Sequence, residues 1–265
     1  MDEMRETAAG TEATVGVAPE AGEAAASTGA PFVQKPEASG GSRHEADAIL
    51  AVRYGAHEGY ERVVVDLGVG EEPAGRLPEW SLMSLSGDGL LRVTFPSVSA
   101  TGVSDGALGD DLLDGFYVVR APEGGMFVDV FARKAFSYRV MELEDPARLV
   151  VDFKPSGEPL EAAPPAVGGR TVLVEPRAGD RVGGPLTVCG YSRNFEASNT
   201  IILEDERGKV LARRTVQSND WAATWGYFET TLDAQASEGK WTLRVGTESA
   251  RNGDFEGVEV PVRGG

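Results

Sequence analysis

The chain has a single cysteine, Cys189, so it can close no internal disulfide and offers neither a disulfide framework nor a cysteine zinc site. Cys189 lies between Val188 and Gly190 in an apolar run and reads as a small buried side chain rather than a reactive thiol. Histidine is almost as scarce, with only His44 and His57. No Ser or Cys motif has the form of a nucleophile elbow, so triad chemistry has no anchor. No run reaches the roughly 18–20 apolar residues that a membrane helix needs. The first residues also lack the charged, apolar, small-residue order of a signal peptide, which leaves either a cytoplasmic protein or one whose leader has been removed. Basic residues are few: 25 Lys and Arg stand against 42 Asp and Glu, for a net charge of −17. A polyanion would be repelled by that field, and the densest basic stretch is Arg213-Arg214, so the sequence predicts no nucleic-acid partner and disfavours anionic lipid.

What the chain does have is a repeated strand pattern. Arg62-Val63-Val64-Val65-Asp66-Leu67 is echoed by Arg148-Leu149-Val150-Val151-Asp152-Phe153. Side chains alternate along a strand, so Val63, Val65 and Leu67 share one face, as do Leu149, Val151 and Phe153. If the two strands pair, Arg and Asp on their other faces fall opposite each other, which favours pairing by roughly 0.2–1 kcal/mol. They read as the opening and closing strands of one β domain.

Residues 1–47 are rich in Ala, Gly, Glu, Thr, Ser and Pro, and read as a disordered acidic tail, with a transient helix at most over Glu20–Ala26. Residues 48–155 carry about eight strands and no convincing helix, including hairpins across Ser86-Gly87-Asp88-Gly89 and Pro122-Glu123-Gly124-Gly125. Residues 156–169 hold Pro159, Pro164 and Pro165 and read as a stiff linker. Residues 170–263 show short strands at regular spacing, the pattern of an immunoglobulin-like sandwich, with Leu186, Val188, Ile202, Trp225, Phe228, Trp241 and Val245 as its expected core. The fold class is therefore all-β: a barrel or sandwich followed by a second sandwich.

The segments His57-Glu58-Gly59-Tyr60-Glu61-Arg62-Val63-Val64-Val65-Asp66-Leu67 and Asp145-Pro146-Ala147-Arg148-Leu149-Val150-Val151-Asp152-Phe153 resemble the AMIN-like domain of bacterial envelope proteins. The later segments Val174-Glu175-Pro176, Gly179 through Gly190, Asp205-Glu206-Arg207-Gly208, Trp225-Gly226-Tyr227-Phe228 and Val258 through Val262 resemble the immunoglobulin-like domain of bacterial spore-germination proteins, the Gmad type. The sequence departs from that pattern at Asn199 and Thr200, in one loop. Together the resemblances imply an extracytoplasmic, envelope-associated bacterial protein whose work is binding: a non-catalytic adaptor that recognises cell-wall glycan (peptidoglycan) or an envelope protein. The alternative is the accessory binding subunit of a cell-wall hydrolase. No cofactor is implied.

Exposed aromatic residues are the leading candidates for contact, because such side chains stack on sugar rings and anchor protein partners. The binding candidates are Tyr60, Arg62, Trp80, Arg148, Trp221 and Tyr227, with Tyr54 and Tyr117 as further aromatics. Trp221 stands out in the polar turn Ser218-Asn219-Asp220-Trp221. Asp105, Asp110, Asp111 and Asp114 read as a solvated acidic loop, with calcium as the alternative, although their spacing is not that of an EF-hand. His57 reads as a turn residue rather than a base or ligand. Hydrolysis of a glycoside would need two carboxylates facing each other across a cleft, and nothing in the sequence pairs two.

Overall fold

The computed structural model describes residues 30–42, 46–234, 238–248 and 253–265. His44 and the segment Glu20–Ala26 lie outside these residues. The strands are β1 (Glu37–Gly40), β2 (Ala48–His57), β3 (Tyr60–Val69), β4 (Glu72–Pro73), β5 (Trp80–Leu85), β6 (Leu90–Phe95), β7 (Ala100–Thr101), β8 (Asp105–Ala107), β9 (Leu113–Arg120), β10 (Met126–Ala132), β11 (Phe136–Leu143) and β12 (Arg148–Pro155). They continue with β13 (Ala166–Gly168), β14 (Thr171–Glu175), β15 (Arg181–Val182), β16 (Gly184–Ser192), β17 (Ser198–Asp205), β18 (Val210–Gln217), β19 (Trp225–Ala234), β20 (Gly239–Glu248) and β21 (Phe255–Gly264). Two short 3-10 turns, Ser86–Asp88 and Phe195–Ala197, are the only helical pieces among the described residues.

The echoed strands pair as their pattern demands. β12 runs antiparallel to β3, with Arg148 opposite Asp66 and Asp152 opposite Arg62. They lie inside a sheet of order β11-β12-β3-β2-β7, and β1-β5-β6-β10-β9 forms the facing sheet. Val63, Val65, Leu67, Leu149, Val151 and Phe153 meet Leu91, Val93, Phe116, Val118, Val128 and Val130 in one core, which makes the first domain a sandwich. On the outer face the match becomes an ion triad. The fully buried Asp152 accepts from Arg62 Nε at 2.6 Å and from Arg139 Nε at 2.7 Å.

The second sandwich packs β14 and β16 with β19 against β15-β21-β20-β17-β18. Its core contains Leu186, Val188, Phe228, Trp241 and Val245, as expected. Trp225 does not belong to that core, and Ile202 is buried outside it.

The reason for the first of these corrections lies between the domains. Every residue of β10 is buried, although one face of a simple sandwich strand should be wet. Met126, Val128 and Val130 point into the first core; Phe127 and Phe131 point the other way, into a seam with Leu90, Val119 and Ala121. The second sandwich fills the seam with Val172, Val174, Tyr191 and Trp225. Tyr117 packs edge-on to Trp225 at 5.1 Å and lies 5.4 Å from Tyr191. β19 also pairs in parallel with β9, Trp225 opposite Val119 and Gly226 opposite Arg120, so one ten-stranded sheet crosses both domains.

Polar bonds close the edge of the seam. Trp225 Nε1 donates to Asp105 Oδ1 at 3.0 Å, Thr224 Oγ1 donates to the Val118 carbonyl, and Asn219 Nδ2 donates to the carbonyls of Arg120 and Ala121. Asp220 accepts from Arg120 Nε at 2.8 Å and from the amides of Trp221, Ala222 and Ala223. Gly226 has to be glycine, because a Cβ there would lie 2.0 Å from the Asp220 carbonyl oxygen. Burial raises the Asp220 pKa, but the Arg120 guanidinium and the three amides outweigh it and hold the carboxyl below its ordinary value. A depressed carboxylate stabilises the folded state above its unfolded pKa, and that contribution is lost as pH falls through the lower folded value. Acid unfolding followed from pH 5 downward is therefore expected to show less destabilisation in Asp220→Asn than in the wild type, and equal acid profiles would contradict this.

Two boundaries differ from the sequence expectation. The composition predicts a tail running to residue 47, whereas residues 30–42 pair with the fold. Val33 exchanges both backbone hydrogen bonds with Tyr138 on the β11 edge, at 2.8 and 2.9 Å, and β1 pairs with β5 on the edge of the other sheet. This strap is held by main-chain pairing on open edges, which leaves little trace in a sequence of small and polar side chains. The linker is also tied down: Glu161 N donates to the Gly87 carbonyl, Arg177 Nη1 donates to the Ala163 carbonyl, and β13 adds to β14.

Candidate functional site

The β2–β3 hairpin turns through Glu58-Gly59, with Gly59 at φ 82°, a value that favours glycine. The tight turn places His57 opposite Tyr60, and their rings stack at 4.6 Å with 10° between planes. The hairpin end overhangs the loop before β9. Between them lies a cleft of about 410 Å³, walled by Tyr54, His57, Tyr60, Glu61, Asp110 and Leu112.

Each wall has a physical reason for its position. Glu61 follows the inward parity of Val63 and Val65, but at the end of the sandwich its carboxylate turns to the loop. There it accepts the amides of Leu112 at 3.1 Å and Leu113 at 3.0 Å, which fixes the loop against the hairpin. Gly109 allows the loop to come close, because a Cβ there would sit 2.4 Å from the Tyr54 hydroxyl. Burial, and then the negative charges of Glu61, Asp110 and Asp111, push the Tyr54 phenol up to about 12. The His57 Nε2 atom is buried and has no hydrogen-bond partner. Behind Tyr60, the Arg62 guanidinium lies 5.7 Å and that of Arg139 5.1 Å from the ring centre, and Phe32 of the strap lies 6.2 Å away under Arg139.

Of the sequence candidates, Tyr60 and Arg62 come together here. Arg62 supports the site from behind through Asp152. Trp80 is a correction: it is 4% exposed in the core, and its Nε1 donates to Glu142 at 2.7 Å, so it offers no contact surface. An apolar ring at a strand start with inward parity belongs to the core. Arg148 lies at the far end of the same strand pair, with its Nε donating to the Pro146 carbonyl at 3.3 Å. Tyr227 is half-buried over the seam, donates to Glu229, and borders a separate groove of about 330 Å³ with Arg92, Pro96, Pro122 and Phe127. Trp221 is 36% exposed and meets the 68% exposed Phe195 edge-on at 5.2 Å, on the other domain.

The calcium alternative is also corrected. Asp105 is engaged by Trp225 and Ser104, Asp111 by Lys134, and Asp114 by Arg133, so three of the four aspartates are held by separate partners. Among the described residues no group of three or more His, Cys, Asp or Glu is placed to hold a metal ion. Cys189 is half-buried at the seam, and burial pushes its thiol up to about 11, in keeping with an unreactive side chain.

Sequence reasoning missed Glu61 as a partner of the site, named Tyr54 only among the further aromatics, and read His57 as a turn residue. A two-residue turn with His and Tyr directly before and after it was the available signal, since such residues face each other across a hairpin.

Two family models match the chain, in order. Residues 47–155 match the AMIN-like domain, and residues 172–254 match the immunoglobulin-like domain of bacterial spore germination. No curated protein matches the chain.

Proposed function

We propose that this chain, an AMIN-like domain joined to an immunoglobulin-like domain of the spore-germination type, is a recognition protein of the bacterial cell envelope that holds wall glycan in the Tyr60 cleft. The cleft carries the proposal. It is concave, walled by aromatic rings and edged by carboxylates, which suits a ligand with flat apolar faces and a rim of donors. The immunoglobulin-like domain serves as a rigid extension and a second contact surface. The geometry favours binding over hydrolysis. Glu61, the buried acid of the cleft, uses both carboxylate oxygens to hold the Leu112 and Leu113 amides and is not free to face a second acid.

The experiment is retention on insoluble peptidoglycan. The wild type is expected to be retained, and Tyr60→Ala to bind about ten- to thirtyfold more weakly, the loss of roughly 1.4–2 kcal/mol that removal of a central aromatic contact causes. Trp221→Ala, on the other domain, is expected to bind as the wild type does. Failure of the wild type to be retained beside an unrelated wall-binding control, or full retention of Tyr60→Ala, would overturn the reading.

A further inference from the structure

We propose that the Tyr60 cleft prefers a glycan bearing a free ammonium group over its N-acetylated counterpart, with Asp110 as the counter-charge. The inference rests on the glycan-binding reading and gives it a chemical selectivity. Three carboxylates border the cleft, and two are committed. Glu61 holds two backbone amides, and Asp111 pairs with Lys134. Asp110 is exposed and, among the described residues, has no hydrogen bond or ion pair.

The same wall carries the stacked His57–Tyr60 rings. Aromatic faces beside an unpaired carboxylate make a setting in which an ammonium group is attracted by both the rings and the charge. A neutral acetamide gains neither attraction. A carboxylate-bearing ligand would be repelled by Asp110 and by the net charge of −17. Burial first, and after it the charges of Glu61, Asp110 and Asp111, raise the Tyr54 phenol beside the same wall.

The test compares hexamers of glucosamine and of N-acetylglucosamine by titration calorimetry, with the amine protonated. The full chain is expected to bind the glucosamine hexamer about tenfold more tightly. Asp110→Asn is expected to bind the two hexamers with equal affinity, and Glu206→Gln, an exposed acid on the other domain, is expected to keep the preference. Equal affinities in the wild type, or a preference that survives in Asp110→Asn, would overturn the inference; the second result would mark general attraction to an acidic protein. Binding of neither hexamer would also overturn it, and wall retention of the wild type against Tyr60→Ala then decides separately whether the glycan-binding reading stands.

Discussion

Replacing Asp152 with alanine is expected to destabilise the protein by about 3 kcal/mol, the lower end of the range for breaking a buried ion pair. Asp152 is fully buried, whereas Arg62 and Arg139 keep 13% and 10% side-chain exposure. Removing the carboxylate takes away the buried counter-charge that the two guanidinium groups share. Their residual exposure lets them swing toward water, which is why the cost falls at the lower end. For a folded body of this size the midpoint of thermal unfolding should drop by about 6–12 °C. The surface pair Arg244–Glu259, with side chains 25% and 60% exposed, is the control. Glu259→Ala should cost less than about 1 kcal/mol, because solvent screens such pairs. Similar losses in the two variants would mean that burial does not set the strength of these pairs. Arg62 and Arg139 also lie against Tyr60, so Asp152→Ala should weaken retention on peptidoglycan as well, without any change in the residues that line the cleft.

Trp225→Ala is the second large effect, and it acts on the joint between the domains. The indole is 6% exposed, packs against Tyr117 and Tyr191, and donates to Asp105. Truncating a buried aromatic side chain of this size costs about 3–5 kcal/mol, from lost burial and the cavity left behind. The loss falls on the seam rather than on either sandwich core. The wild type is therefore expected to unfold in a single calorimetric transition, and Trp225→Ala in two, as each sandwich melts alone. Truncating Trp241, 3% exposed inside the second core, should destabilise by a similar amount yet lower only the transition of that sandwich. Two transitions in the wild type, or one in Trp225→Ala, would contradict the seam's role.

The parts of this architecture that could be read from the sequence are those set by alternation. Val63, Val65 and Leu67 face inward because a strand has period two, and the Arg62–Asp152 and Asp66–Arg148 oppositions follow from pairing the two echoed strands. The turn residues at 86–89 and 122–125 mark the hairpins in the same direct way. Alternation says which residues share a face, but not what covers that face. Alternation alone puts Trp225 in the second core, whereas the fold turns it to the first domain. The clue was β10, Met126-Phe127-Val128-Asp129-Val130-Phe131, which is apolar on both faces apart from Asp129, as a strand covered on both sides must be. Asp129 is tolerated there because Arg92 holds it with two bonds of 2.7 Å while lying 3.8 Å over Phe127. The strap left no pattern, since its stability comes from backbone bonds to sheet edges. The cleft was legible only in pieces, because Tyr60 and Asp110 are brought together by the fold and not by spacing.

The claim beneath the functional reading is that the two sandwiches form one body. Nitroxide labels at Glu71→Cys and Glu206→Cys, both exposed and on different domains, in a Cys189→Ala background, measure it directly by pulsed electron–electron resonance. One narrow distance peak is expected, broadened when Trp225→Ala is added. A wide or multiple distribution in the protein with its tryptophan intact would show two beads on a tether and contradict the account.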